Sequence, residues 1–384
     1  MWLVPSAYIR DMARLALIYV AGTTAVLMAT GCAASSHQQS PAASADRSTI
    51  AAHSPRSADP PRRISQVPGR APTRGVNVYW LSQGVNPGDG ALSRVSVGGG
   101  PVTTLAGGQT NNNPFADRSV AVGSTHVYWV DGSPGWTKGP PGTVNEVPLD
   151  GGRVTTLASG QNDPIAVAVD GAHVYWVNQG RKAGEGSVNE IPIGGGSVTT
   201  LASHQNDPQS LAVDGTHVYW VNNNAYGTVN EVPIGGGTVT TLARNQSDPI
   251  SLAVDGTHAY WANVDDGTVN EVPLRGGRVA TLATGQTDVA SIAVDSTAIY
   301  WATMDNGFDA YSGSVRKVPV GGGTITTLAE GQSGPSSITV NRTHVYWVNG
   351  GEPVGTLTEV PLAGGRVITL GRSPEDPISV AVGP

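Results

Sequence analysis

Cysteine, phenylalanine and charge are what this chain has least of. Its one cysteine, Cys32, excludes an internal disulfide and any metal site built from several thiolates. With two phenylalanines and four methionines, a core has to come from Val, Leu, Ile, Tyr and Trp. Charged residues make up 13% of the chain and the net charge is −7, which argues against a nucleic-acid surface, since that needs a basic stripe. No helical period of apolar residues is sustained beyond the first thirty positions. What is present instead is glycine (51) and proline (27), punctuating short runs rich in Val, Thr, Tyr and Trp. Such runs read as an all-β protein, and 384 residues suffice for one large domain or two ordinary ones.

Residues 1–31 carry Arg10 and Arg14, an apolar run from Leu15 to Ala29, and then Thr30-Gly31 before Cys32. A basic start, a short apolar core and small residues at its end are the parts of a secretory signal, with Met12 as a second candidate start. The run is shorter than the roughly 20 apolar residues of a bilayer span. Its end, LMATGC, resembles the lipobox of bacterial lipoproteins, whose cysteine is lipidated and becomes the new N-terminus. That resemblance implies an exported, lipid-anchored protein. Ala33 after the cysteine implies the outer membrane in a bacterium with two membranes. Residues 32–75 form the expected tether: rich in Ala, Ser, Pro and Gln, with six arginines and few large apolar residues, they cannot bury enough to order themselves.

From residue 76 to 384 one unit repeats. A Tyr-Trp pair falls at 79–80, 128–129, 175–176, 219–220, 260–261, 300–301 and 346–347, so seven copies are spaced 40 to 49 residues apart by subtraction. That period suits a four-stranded propeller blade. The copy at 248–283 divides into runs 250–254, 259–262, 268–274 and 278–283, with Asp255-Gly256 and Gly276-Gly277 as turns. Val269, Val272 and Leu274 are spaced three and then two apart, which predicts a β-bulge near Glu271. Small residues in the first run and Tyr-Trp in the second place the first run innermost. The first copy lacks an inner strand, and residues 376–382 are an inner strand without a blade. The expected fold is therefore a seven-bladed β-propeller of four-stranded blades, closed by the C-terminal strand joining the first blade.

The repeat resembles the YWTD repeat of the low-density lipoprotein receptor propellers, keeping the inner Ala-Val-Asp and the Tyr-Trp pair. Val or Ala stands in place of Thr, and Asn178, Asn222, Asn263 and Asn349 in place of the final Asp. The receptor family has six blades against seven counted here. The resemblance implies a propeller that binds partners on one face.

His126, His173, His217, His258 and His344 occupy one repeat position, as do Asp170, Asp214, Asp255 and Asp295, with Asn341 in the next blade. Glu146, Glu190, Glu231, Glu271 and Glu359 occupy another, with Arg94 and Lys317 in the remaining copies. Equivalent positions lie around a ring and not at one point, so turn, capping and inter-blade roles are expected for them. Function is expected in the loops between second and third strands, whose lengths vary most. These offer Trp136, then Asp265 and Asp266, and in the next blade Asp305, Phe308, Asp309 and Tyr311. Hard oxygen ligands beside aromatic faces suit calcium or a sugar-like ligand, with Asp305 and Asp309 the metal candidates; no other cofactor is expected. No nucleophile elbow, paired-histidine metal motif or phosphate-cradling loop appears. The expectation is a monomeric, non-enzymatic module that binds an envelope protein or glycan through this loop face. A propeller lyase or hydrolase with a site at the axial channel mouth is the alternative, and a structural envelope protein a third reading.

Overall fold

A computed structural model describes residues 75–384 except 84–87, 110–118, 133–140, 225, 305–311, 351–353 and 374. Seven four-stranded antiparallel sheets form a seven-bladed propeller, and no helix occurs among the described residues. In the fifth blade the strands are Pro249–Val254, His258–Asn263, Thr268–Pro273 and Ala280–Ala283. Blade 1 is completed by the C-terminal strand Asp376–Gly383, which pairs antiparallel with Asn77–Gln83. Numbering the blades from this one, the Tyr-Trp pairs run in order from blade 1 to blade 7.

The Tyr-Trp pair explains how the blades meet. Successive side chains of a strand point to opposite faces, so one aromatic of each pair serves each neighbour. Tyr260 packs with Trp301 of blade 6, whereas Trp261 packs with Tyr219 of blade 4. The alternation continues around the ring to Tyr346, which packs with Trp80 of blade 1. The tryptophans of all seven pairs are almost fully buried. Each seam thus holds one tyrosine and one tryptophan, and the apolar area they remove from water is the main adhesive between blades.

The same two-sided burial corrects the expected bulge. Val269 belongs to the seam with blade 6 and Val272 to the seam with blade 4. Their spacing of three places them on opposite faces of a third strand that pairs regularly with the second from His258↔Pro273 to Asn263↔Thr268. The irregularity lies against the outer strand: Val269 faces Ala283 and Asn270 faces Thr281, leaving Leu282 as the extra residue. Glycine opens the third strand because the next blade leaves no room for more. A Cβ on Gly227 would lie 2.3 Å from Cδ of Pro249.

Near the axis, serines link consecutive inner strands. Ser210 accepts the Leu252 amide at 3.2 Å, Ser251 the Ile292 amide at 3.0 Å, and Ser291 the Ile338 amide at 3.3 Å. Ser337 and Ser379 carry the series through blade 1 to blade 2. Blade 3 has Ala166 at this position, and the hydroxyl of Ser119 before it is buried without a hydrogen-bond partner among the described residues.

Candidate functional site

Each blade has two ends. One carries the short hairpins between first and second and between third and fourth strands; the other carries the variable loops and the connections to the next blade. At the loop end, a glutamine closing one blade reaches the next. Gln246 accepts from Trp261 Nε1 at 2.9 Å and from Asn263 Nδ2 at 3.2 Å. The same pattern joins Gln161 to Trp176 and Asn178, Gln205 to Trp220 and Asn222, and Gln332 to Trp347 and Asn349. These residues hold blades together and offer no chemistry.

Of the loop residues expected to bind, Asp265 and Asp266 lie exposed in the turn between Asn263 and Thr268, where Asp266 accepts the Thr268 hydroxyl at 2.7 Å. Asp305, Phe308, Asp309, Tyr311 and Trp136 fall outside the described residues, as does Cys32. Among the described residues no cluster of three or more acidic, histidine or cysteine side chains is arranged to hold a metal ion.

At the hairpin end the repeat brings ionisable groups together. Asp214, His217 and Tyr219 follow one another through the first turn, and antiparallel register sets Glu231 opposite Tyr219. Asp214 is held by its own turn: Oδ1 accepts the Thr216 amide at 2.6 Å and the His217 amide at 2.8 Å, and Oδ2 accepts the Tyr219 hydroxyl at 2.9 Å. Burial pushes its carboxyl up, but these donors outweigh that and leave it below the usual carboxylate range. Tyr219 is driven above its ordinary value, by burial first and then by Asp214. Asp214 is thus a fixed anion with its lone pairs occupied.

Glu231 is in the opposite condition. Its Oε2 is buried with no hydrogen-bond partner among the described residues. Burial pushes its carboxyl up; His217 opposes this, and Asp214 adds to it. These groups line a cavity of about 450 Å³ between blades 4 and 5, whose far wall includes Thr257 and Arg275. Arg275 stands where the corresponding turns of blades 3, 4 and 6 have Gly194, Gly235 and Gly321.

The full set of Asp, His, Tyr and Glu occurs in blades 3, 4 and 5, as Asp170, His173, Tyr175 and Glu190, then the cavity set, then Asp255, His258, Tyr260 and Glu271. Blade 2 has Gly123 and blade 7 Asn341 in place of the aspartate, and blade 6 has Ala298 and Lys317 in place of histidine and glutamate. At the seam between blades 3 and 4, Glu190 Oε2 accepts the Gly235 amide at 3.4 Å. The structure confirms the turn role expected for Asp214 and its equivalents. It adds that four repeat positions converge in blades 3, 4 and 5 and face the next blade's turn. Two signals lie in the sequence: the Asp-x-x-His-x-Tyr spacing, and the single arginine at a turn position that holds glycine in four blades, Asp150 in blade 2 and Ala363 in blade 7.

No protein-family model matches the chain, and no curated protein matches its sequence. Among solved structures, it is similar to a candidate 6-phosphogluconolactonase from Bacteroides fragilis NCTC 9343, with a TM-score of 0.60 and 14% identity over 82% of this chain and 100% of that one. The periplasmic gluconolactonase PpgL of Pseudomonas aeruginosa gives 0.56 and 14% over 80% and 98%. A chain of the nidogen/laminin complex gives 0.51 and 14% over 80% and 98%. At such identity the likeness establishes the propeller fold alone. It still corrects the expectation of a non-enzymatic binding or scaffold module, because lactonase propellers stand among the neighbours and favour the hydrolase alternative. The absence of a catalytic motif carries no weight against an enzyme, since a site spread over two blades would leave no contiguous motif.

Proposed function

We propose that this protein is a hydrolase that opens cyclic esters of the sugar-lactone class in the cavity between blades 4 and 5. One observation carries the reading: the Glu231 carboxyl, raised in proton affinity, lines a half-open cleft of about 450 Å³, with room for a sugar-sized ring. The lactonases among the structural neighbours support the reaction class. In this reading Glu231 takes a proton from water as the water oxygen bonds to the ester carbonyl carbon. The ring carbon–oxygen bond then breaks, and the departing alkoxide takes the proton back from Glu231. Arg275 at the rim offers a cation to the developing oxyanion. Asp214 keeps the first turn in shape and is no rival base, because its lone pairs are already engaged. The site thus lies along a seam and not at the axial mouth. The signal at residues 1–31 and Cys32 would tether this enzyme to a membrane outside the cytoplasm.

Acid release from aldonolactones, followed above their spontaneous hydrolysis, tests this with the full chain and its Glu231→Gln variant. The variant is expected to lose about 10²–10⁴ in rate while keeping its melting temperature. Since the base must be ionised, kcat/KM should climb as pH rises through the raised pKa of Glu231. Turnover unchanged in Glu231→Gln would remove the site, and no turnover of any lactone would remove the reaction class.

A further inference from the structure

The third-strand position held by Glu231 in blade 4 is a natural experiment, because the seven blades fill it with both signs of charge. In blade 1, Arg94 Nη1 donates across the seam to the Leu149 carbonyl and lies 3.3 Å from the Asp150 carboxylate. In blade 6, Lys317 Nζ donates to the Leu362 carbonyl at 2.6 Å. Both cations satisfy the same carbonyl of the neighbour's turn, an acceptor at these two seams, whereas at the seam of blades 3 and 4 the adjoining Gly235 amide donates to Glu190. Glu359 of blade 7 holds the same repeat position, opposite Tyr346, at the seam with blade 1 where Val97 of the turn 96–100 packs. Its side chain is 3% exposed, and its Oε2 has no hydrogen-bond partner among the described residues. An ionised carboxylate can only accept; a protonated one can donate.

We infer that Glu359 is a protonation-operated latch on the closing seam, ionised and unpartnered when deprotonated, and donating to the Val97 carbonyl of blade 1 when protonated. The titratable groups that face it are His344 and Tyr346 of its own blade. Asn341 stands where blades 3 to 6 have an aspartate, and blade 1 presents Ser96, Val97 and three glycines, none titratable. Burial pushes the Glu359 carboxyl up, and His344 opposes this only in part. A carboxyl raised in the folded state binds its proton more tightly there than in the unfolded chain. Stability therefore rises as pH falls through the folded pKa, levels off near the unfolded value of about 4.3, and is lost again on returning to higher pH. The inference is independent of the hydrolase reading, since blade 7 contributes nothing to the cavity between blades 4 and 5.

The test compares thermal melting of the full chain with its Glu359→Gln and Glu359→Lys variants between pH 8 and 5. Glutamine presents a donor at every pH, and lysine reproduces the contact made by Lys317. Both variants are expected to melt a few degrees above wild type at pH 8, equivalent to an unfolding constant lower by on the order of tenfold. Their advantage should shrink toward pH 5 as wild type gains its proton. If Glu359→Gln melts at or below wild type at pH 8, or if its advantage is the same at both pH values, the latch is overturned. A Glu359 carboxyl titrating by NMR at or below the ordinary glutamate value would overturn it too.

Discussion

The two ends of each seam solve the same problem with different chemistry. At the loop end, neutral amides join the blades: Gln246 binds the indole of Trp261 and the amide of Asn263, and none of the three changes charge with pH. At the hairpin end the polar groups are ionisable, with aspartates saturated by turn donors and four of the five glutamates short of a partner at Oε2 among the described residues. A repeat can therefore be held rigidly at one end while the other keeps reactive, titratable groups over a gap. That division places the candidate site at the hairpin end, although loop length varies most at the opposite end.

The largest effect that would sharpen this contrast is expected at the amide end. Gln246→Ala leaves the buried Trp261 and Asn263 donors without their shared acceptor and should cost about 2–3 kcal/mol. The loss should be constant between pH 4 and 8; a pH-dependent loss would break the comparison. Asp255→Asn acts at the other end, where Asp255 accepts the Thr257 amide at 2.8 Å, the His258 amide at 2.9 Å and the Tyr260 hydroxyl at 2.8 Å. Burial pushes this carboxyl up, but its donors hold it below the usual range. Its stabilisation is complete above the unfolded pKa of about 3.9 and is lost as pH falls through the lower folded value. The variant should lose about 1 kcal/mol at neutral pH and converge on wild type in acid, as read from denaturant midpoints. The smallest effect expected is a gain at the axis. Ala166→Ser restores a hydroxyl acceptor facing blade 4 and should add about 0.5 kcal/mol, with slower hydrogen exchange at the Leu211 amide as the direct readout.

How much of this could be read from residues alone follows from locality. The Tyr-Trp period, the Asp-Gly turns and the split first blade are short-range patterns, and they specify seven four-stranded blades and their closure. The bulge lies elsewhere than the valine spacing predicts because a blade has two buried faces, and Val269 and Val272 pack on opposite ones. The candidate site was hidden for a related reason. Glu231 and Arg275 are 44 residues apart by subtraction and line one cavity only across a seam, so neither stands out within its own unit. The loops around Trp136 and residues 305–311 drew attention because they break the pattern, and they fall outside the described residues.

Pairing of strand Asn77–Gln83 with strand Asp376–Gly383 also has a consequence in time. During synthesis, the inner edge of blade 1 has no partner until some 300 residues have followed it. Six blades can assemble from local hairpins while that edge and the face of Trp80 toward blade 7 stay open to water and to other chains. Closure is then the contact of greatest sequence separation and the slowest to form. Nascent chains halted before residue 376 are expected to be the aggregation-prone species, and a peptide copying residues 376–383 should suppress their aggregation by occupying the open edge.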